Sequence, residues 1–157
     1  MTYFKLTSLT DGSLMTIGHL IHLLNQLKDK VLSDHLTPLD ITAQQFKVLL
    51  LLNRDDEFNT CKKLSQRLCI DAGAITRMVD RLEKKGLIKR TRDKTDRRCV
   101  SLELTDNGQN LCEQFPPLIV DALNELTQGL SNDEIQQLEM LITKVLATNG
   151  VTNGVFS

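Results

Sequence analysis

The basic side chains in the middle of the sequence are the groups best suited to a chemical task. The stretch DAGAITRMVDRLEKKGLIKRTRDKTDRR, residues 71–98, contains ten Lys or Arg residues. Residues 61–100 hold 13 Lys/Arg against 5 Asp/Glu, although the whole chain has a formal net charge of −1. Cations gathered in this way favour binding to a polyanion. The alternative is a solvated surface whose charges only pair with one another.

Composition narrows the class of protein. The chain has 157 residues, 41% of them hydrophobic, which is enough apolar material for one domain with a core. Five Phe, one Tyr and no Trp in a Leu-rich chain favour helices over a β-sandwich. No apolar run approaches the roughly 18 residues of a membrane span, and no secretory signal precedes residue 13. We therefore expect a cytoplasmic protein that has no membrane partner.

The sequence gives little evidence for a catalytic or metal-binding site. The four cysteines are Cys61, Cys69, Cys99 and Cys112, and no two of them form a CxxC pair. We interpret them as reduced, partly buried residues, with oxidation of one of them as the alternative. No catalytic triad, glycine-rich phosphate loop or metal cluster stands out. We expect no enzyme activity, no cofactor and no metal.

Periodicity predicts helices before the basic stretch. Apolar residues at three-and-four spacing indicate an amphipathic helix over 13–36, which ends before Pro38. Thr42 and Gln45 have capping-box spacing and open a second helix that ends near Asn53.

Further helices follow the basic stretch. Thr105 is placed to cap a long helix, in which Pro116-Pro117 predicts a kink or a break. A second capping box begins a final helix over 131–147, and residues 148–157 are expected to form a flexible tail.

Two short helices lie directly before the most basic segment, in the order of a helix-turn-helix unit. Capping signals predict one helix over 60–68 and another over 71–85, joined by about two residues. On a helical wheel, the second helix has an apolar face of Ala72, Ile75, Met78, Val79 and Leu82. The opposite face contains Gly73, Arg77, Asp80 and Lys84, with Thr76 and Arg81 on its flanks.

A charged β-hairpin follows these helices. Residues 87–91 and 99–105 have strand character, because Val100, Leu102 and Leu104 alternate with polar residues. The basic residues of this segment are Lys89, Arg90, Arg92, Lys94, Arg97 and Arg98. A cationic ribbon of this kind fits a duplex as a wing, with its tip in the minor groove. The alternative, a hairpin kept soluble by edge charges, does not account for their single sign.

These elements together predict a mainly α fold with a small β-hairpin, in a winged helix-turn-helix arrangement. Small residues at the start of the helix over 71–85, namely Gly73, Ala74 and Thr76, would let it enter a major groove. Arg77 could then contact guanine bidentately, and exposed N–H groups at the helix start could meet a phosphate. Double-stranded DNA is the partner that this arrangement indicates.

The segment DAGAITRMVDRLEKKGLIKRTRDKTDRRCVSLELTDNG resembles the recognition helix and wing of the MarR family of regulators. The segment GHLIHLLNQLKDKVLSDHLTPLDITAQQFKVL, residues 18–49, resembles the first two helices of that family. The resemblance covers about residues 14–147 and is most specific at Asp96-Arg97-Arg98. It implies one MarR-type domain over 1–157. Within it, 13–36 and 105–147 would form dimerisation helices and 42–104 the winged DNA-binding lobe.

The resemblance also implies roles for individual residues in a homodimer that reads a pseudo-palindromic operator. Thr76 and Arg77 match base-reading positions, and Gly73 and Ala74 match positions that pack close to the groove. Arg98 matches the wing-tip arginine, and Asp96 the residue that supports the wing. The candidates for phosphate contacts are Lys47, Lys62, Lys63, Arg90 and Arg97, and the cationic face adds Arg81 and Lys84.

The resemblance further implies a repressor that releases DNA when a small aromatic acid or phenol binds between the first helix and the winged lobe. His19 and His22 are possible lining residues of that pocket, or else side chains of the dimer interface. Two alternatives stay open: a cysteine-based redox sensor on the same fold, and a winged-helix module that binds protein. The latter would show little salt dependence with duplex DNA.

Overall fold

The computed structural model of the chain describes residues 17–54, 56–92 and 100–151. These residues form a mainly helical fold with one antiparallel β-hairpin, as the sequence predicts. In chain order the elements are α1 (Ile17–Leu36), α2 (Ala43–Arg54), α3 (Cys61–Leu68), α4 (Ala72–Lys84), β1 (Ile88–Arg92), β2 (Val100–Leu104), α5 (Asp106–Cys112), α6 (Phe115–Thr127) and α7 (Asn132–Thr148). Short 3₁₀ turns, Thr37–Leu39 and Asp56–Phe58, flank α2.

Side-chain caps determine where most of the helices begin. Thr42 and Gln45 exchange hydrogen bonds of 3.0 and 3.2 Å ahead of α2. The Thr60 hydroxyl accepts from the Lys63 N–H, and the Thr105 hydroxyl accepts from the Gly108 N–H. Ser131 and Glu134 form a complete capping box on α7. These interactions satisfy N–H groups that have no partner inside the helix, so local sequence fixes the element starts.

The core lies between α2, α3, α4 and the hairpin. Ile75, Val79 and Leu82 of α4 are fully buried, and they pack with Leu64 of α3. The Phe46 and Phe115 rings meet edge to face at 4.7 Å and join this core to α6. Among the described residues, the largest fully buried side chains are Leu36, Val48, Leu49, Leu64, Ile75, Val79, Leu82, Ile88, Leu102 and Phe115.

Ala72 is an exception to the predicted apolar face of α4. It is the first residue of the helix and is exposed, whereas burial on this face begins at Ile75. The buried face is therefore one turn shorter than the wheel predicts.

The hairpin is attached directly to the end of α4. Gly86 takes a left-handed conformation with φ 69°, and the Leu87 N–H donates to the Leu82 carbonyl. Glycine adopts this backbone region without a steric cost, so the chain can reverse at once into β1. In the hairpin register, Ile88 pairs with Leu104 and Arg90 pairs with Leu102.

The helix predicted to run on from Thr105 is broken. α5 ends at Cys112, and α6 starts at Phe115. Pro116 and Pro117 occupy the second and third positions of α6, where a backbone N–H has no partner inside the helix anyway. The two prolines thus begin a new helix, with Phe115 buried ahead of them, and do not kink an existing one.

Large apolar side chains remain exposed on α1 and on the C-terminal helices. α7 has no buried residue at all. The exposed apolar residues of these helices are Ile17, Leu20, Ile21, Leu23, Leu24, Leu27, Val120, Leu123, Leu138, Met140, Leu141, Ile142, Val145 and Leu146. Monomeric domains seldom expose so much apolar surface, so this surface is suited to a protein partner.

Both ends of the chain are only partly described. Residues 13–16 of the predicted first helix and 152–157 of the predicted tail lie outside the described residues, and α7 extends to Thr148. Across the described ranges, none of the helices combines the length and hydropathy that crossing a membrane would require.

Candidate nucleic-acid interface

The turn between α3 and α4 sets the direction of α4. Three residues separate the two helices, one more than predicted. Cys69 has a left-handed backbone, with φ 52°, and its N–H donates to the Ser65 carbonyl. The Ser65 hydroxyl donates to the Ile70 carbonyl at 2.7 Å. Backbone and side chain together fix the turn and hold α4 against α3.

The first turns of α4 present small side chains and an arginine to solvent. Both carboxylate oxygens of Asp71 accept from the Gly73 N–H, at 3.0 and 3.1 Å. Gly73, Thr76 and Arg77 are exposed, and Ala74 is half-buried. The Thr76 hydroxyl donates to the Ala72 carbonyl at 2.9 Å, so its methyl group and its remaining lone pair are available to a ligand.

Arg77 lies close to the small residues of this turn. A Cβ atom built on Gly73 would stand 3.4 Å from Arg77 Nη1 and 3.3 Å from Asp71 Oδ2. A larger residue at 73 would therefore crowd both the cap and the arginine. The side chains beside Arg77 are short, so the backbone of α4 can approach a groove closely.

Four further cations lie on α3 and α4. Lys62 and Lys63 begin α3, and Arg81 and Lys84 occupy the last turns of α4. All four side chains are exposed. Among the residues that the structure describes, none of the four is joined to a carboxylate, so their charges are free to attract an anion.

Arg90, one of the predicted phosphate contacts, meets two carboxylates within the chain. Its guanidinium donates to Asp80 Oδ1 at 2.6 Å and also to Glu83 Oε2, and the side chain is half-buried between β1 and α4. Both contacts raise the Arg90 pKa, the hydrogen bond to Asp80 most of all. Arg90 thus connects the hairpin to α4, and its predicted phosphate contact stays a prediction.

Lys47 is a second predicted phosphate contact with surroundings that the sequence did not reveal. It lies in α2, on the wall of a cavity between α1, α2 and α6, and is half-buried there. The cavity has a volume of about 260 Å³ and is mainly apolar, with Lys28, Asp29 and Lys47 as its charged residues. Its other lining residues are Val31, Leu32, Phe46, Leu50, Ile119, Ala122, Leu123 and Leu126. Lys47 thus lines this cavity, and its predicted phosphate contact stays a prediction.

The two alternatives for His19 and His22, pocket lining or dimer interface, stay predictions. His19 and His22 lie about two turns closer to the start of α1 than the cavity, and neither lines it. A third histidine, His35, contacts Glu125 of α6 at 2.9 Å. Across residues 17–54, 56–92 and 100–151, no three His, Cys, Asp or Glu side chains are placed to hold a metal ion.

The hairpin tip lies outside the described residues, and with it Asp96, Arg97 and Arg98. Their predicted roles in wing support, phosphate contact and minor-groove binding therefore stay predictions.

The cysteines differ in their surroundings. Cys69 is exposed, Cys61 is half-buried and Cys112 is buried, whereas Cys99 lies outside the described residues. Burial raises the pKa of the Cys112 thiol to about 11. Burial also raises the pKa of Cys61, although the nearby Arg90 opposes the shift. Neither thiol is a ready nucleophile at neutral pH.

Sequence patterns missed the partners of Arg90 and most of the cavity wall. Asp80 and Glu83 precede Arg90 by ten and seven residues, across a helix end and a turn, so no helical or strand period links them. The cavity draws its lining from three helices that are far apart in the chain. Only the apolar periodicity of each helix hinted that these surfaces would meet.

Comparison with known proteins is consistent with this geometry. A model of the MarR family matches residues 41–100. The multiple antibiotic resistance protein MarR of Escherichia coli K12 is 44% identical over 143 residues, which cover 90% of this chain and 99% of that protein.

Solved structures give the same result. Wild-type apo MarR from E. coli superposes with a TM-score of 0.76, covering 83% of this chain and 97% of the other, at 44% identity. A cysteine-to-serine mutant of E. coli MarR complexed with operator DNA superposes with a TM-score of 0.70, covering 82% of this chain and 92% of the other.

Proposed function

The chain belongs to the MarR family, and we propose that it is a homodimeric DNA-binding transcriptional repressor whose operator is a pseudo-palindrome. The observation that carries this proposal is the exposed face at the start of α4. It combines an arginine with small neighbours, a helix N-terminus and unpaired cations on either side. A regulator of this kind would act in the cytoplasm, where the chromosome is.

Base recognition is assigned to the first two turns of α4. The guanidinium of Arg77 can donate two parallel hydrogen bonds to the O6 and N7 atoms of a guanine. Thr76 offers its methyl group to a thymine, since its hydroxyl hydrogen is already donated to the Ala72 carbonyl. Gly73 and Ala74 let the helix backbone approach the bases.

Phosphate contacts are assigned to the exposed cations of α3 and α4. Lys62 and Lys63 lie at the start of α3, and Arg81 and Lys84 lie farther along α4. Each releases counterions from the duplex without selecting a sequence. In the wing, Arg97 would contact a further phosphate and Arg98 would enter the minor groove. Asp96 would support the wing.

Dimerisation is assigned to α1, α6 and α7. The exposed apolar residues of these helices include Ile21, Leu24, Leu141 and Val145. Burying them in a symmetric interface would remove the apolar surface that a single chain leaves in water. A dimer would also place two copies of α4 about 34–36 Å apart, to reach half-sites one turn apart.

An effector site is assigned to the cavity between α1, α2 and α6. Its apolar wall suits an aromatic ring, and Lys28 and Lys47 could pair with a carboxylate or phenolate. The cavity joins a proposed dimerisation helix to the winged lobe, so an occupant could change the separation of the two α4 helices. A coupling free energy of about 1–3 kcal/mol would weaken DNA binding roughly 5- to 150-fold.

The proposal is tested by selecting duplexes from a random pool on the purified protein. The affinity for the enriched duplex is then measured by fluorescence anisotropy between low and moderate salt. We expect a palindromic consensus and a steep, linear fall of log K with log salt, because several phosphates are neutralised.

A mixed-sequence duplex of equal length is the matched control, and protein refolded from denaturant excludes a co-purified effector. If the refolded protein enriches no sequence and its salt slope is shallow, the proposal is wrong. The cationic face would then serve a different partner, such as a protein.

A further inference from the structure

A second concave surface lies on the winged lobe, at the opposite end of α4 from the proposed base-reading turn. It is a cleft of about 560 Å³ between the last turns of α4 and the segment that joins α1 to α2. Its lining residues are Thr37, Asp40, Ile41, Thr42, Gln45, Arg81, Lys84 and Lys85. The effector cavity between α1, α2 and α6 shares none of these residues.

The charges of this cleft are unbalanced. Lys85 donates to the Asp40 carboxylate at 2.9 Å and also to the Asp40 backbone carbonyl, so that pair is neutral. Asp40 is the sole carboxylate in the lining. Arg81 and Lys84 meet no carboxylate among the described residues and leave the cleft with two uncompensated positive charges.

The opposite wall supplies hydrogen-bond donors. The Thr42 hydroxyl accepts from the Gln45 N–H, which leaves its own hydrogen free to donate. Thr42 caps the twelve-residue helix α2, whose positive dipole end therefore lies on the same side of the cleft. Cations on one wall and donors on the other are complementary to an anion that has several oxygen atoms.

We propose that this cleft binds a phosphate group, which Arg81 and Lys84 hold from α4 and Thr42 holds from the start of α2. The phosphate could belong to the DNA backbone or to a free phosphorylated small molecule, since both present the same oxygens. Only the first source rests on the proposed DNA-binding function.

The position of the cleft gives such a ligand a regulatory role. Arg81 and Lys84 line the cleft and are also the cations of α4 that the proposed function assigns to DNA phosphates. A free anion in the cleft would therefore compete with the duplex for both cations. It would lower operator affinity without entering the effector cavity.

The test uses inorganic pyrophosphate as the probe and the full-length chain as the protein. Pyrophosphate is added at constant ionic strength, and the backbone amides of Thr42, Gln45 and Lys84 are followed by NMR. Arg81→Ala and Lys84→Ala are compared with Lys30→Ala, which removes one exposed charge from α1. The same variants are titrated with the enriched duplex at several salt concentrations.

Each source predicts a different pattern. A free phosphate ligand gives saturable shifts confined to the cleft, weakened at least about fivefold in Arg81→Ala and Lys84→Ala but unchanged in Lys30→Ala. A backbone phosphate gives no saturation with pyrophosphate. Instead, each cleft variant lowers the slope of log K against log salt by about one, and Lys30→Ala does not.

The proposal is overturned if both cleft variants match Lys30→Ala in both titrations. The pyrophosphate result does not depend on DNA binding, so failure of the cleft and failure of the proposed function are distinguishable. Circular dichroism of each variant checks that the fold is retained.

Discussion

Arg90 Nη2 lies 2.6 Å from Asp80 Oδ1, and the same guanidinium contacts Glu83. Arg90 belongs to β1, whereas both carboxylates belong to α4. The contact fixes the base of the hairpin against the proposed recognition helix. It also neutralises negative charge that would otherwise face the phosphates of a bound duplex, so one arginine both orients the wing and adjusts the charge of the DNA-binding surface.

Replacing Arg90 should therefore weaken DNA binding through its carboxylate contacts with α4. We expect Arg90→Ala to lower affinity about tenfold, or roughly 1.4 kcal/mol, because the wing loses its anchor and two carboxylates become unpaired. Anisotropy with the enriched duplex measures this. The matched control is Lys89→Ala on the same strand, whose exposed pair with Glu103 at 3.0 Å lies outside the contact.

A double variant separates the two effects of Arg90. If charge alone matters, Asp80→Asn in the Arg90→Ala background should recover most of the lost affinity. If wing orientation matters, it should recover little. If Arg90→Ala binds the duplex as tightly as Lys89→Ala does, Arg90 contributes to DNA binding neither through wing orientation nor through charge.

Arg77 should determine sequence preference. Arg77→Ala is expected to cost about 1–3 kcal/mol on the enriched duplex and much less on a mixed-sequence duplex, because base contacts are lost. Lys62→Ala, the comparison variant, should weaken both duplexes about equally and lower the salt slope by about one. Equal losses on the two duplexes for Arg77→Ala would remove it from the base-reading set.

The exposed apolar surface of α1 should hold the dimer together. Ile21 is 58% exposed in the single chain. Ile21→Glu would place a carboxylate in the proposed interface, where desolvation of the charge is unfavourable. We expect sedimentation to show monomers at low micromolar concentration, whereas Gln44→Glu on α2 should leave the dimer intact. A stable Ile21→Glu dimer would mean that α1 lies outside the interface.

Much of the fold was predictable because its determinants are local. The caps at Thr42, Thr60 and Asp71 act on N–H groups within three residues, and Gly86 marks the end of α4 through its own backbone. Alternation along β2 likewise follows from strand geometry. Such signals survive in the sequence because each depends on a few neighbouring residues.

The surroundings that sequence patterns did not reveal come from distant parts of the chain. Arg90 carries the same charge as its neighbours, and only the packing of β1 on α4 reveals its carboxylate partners. The position of Lys47 in α2 does not distinguish it from a lysine on the surface. Residues of α6 complete the cavity that it lines. Pro116-Pro117 predicted a kink or a break, and the structure has the break, with Phe115 buried at the start of the new helix.

Thiol chemistry should distinguish the cysteines and test the redox-sensor alternative. With a pKa of about 11, only about one Cys112 thiol in 10⁴ is ionised at pH 7. We expect iodoacetamide to label exposed Cys69 first, with Cys61 and Cys112 far slower and their rates rising with pH as the thiols ionise. Peptide mass spectrometry resolves each site, and urea-unfolded protein is the control, in which all sites react.

Fast labelling of Cys112 in the folded protein would contradict its burial. Loss of DNA binding on peroxide treatment, restored by a thiol, would support the redox alternative. The responsible residue would then be sought at Cys69 or Cys99, since the other two thiols are shielded.

Gly108 should be essential to the junction between the hairpin and α5. It is buried, and a Cβ atom there would overlap the Leu87 carbonyl oxygen and stand 3.2 Å from the Leu104 side chain. The Leu87 carbonyl is held in place, because it accepts from the Thr105 N–H at 3.1 Å. We expect Gly108→Ala to lower the free energy of unfolding by about 1–3 kcal/mol, through strain that the backbone cannot relieve.

Gly129→Ala is the matched control, because nothing lies within 4 Å of its Cβ position. Urea unfolding at one protein concentration measures both variants, and equal midpoints would show that α5 can shift away from β1 at little cost.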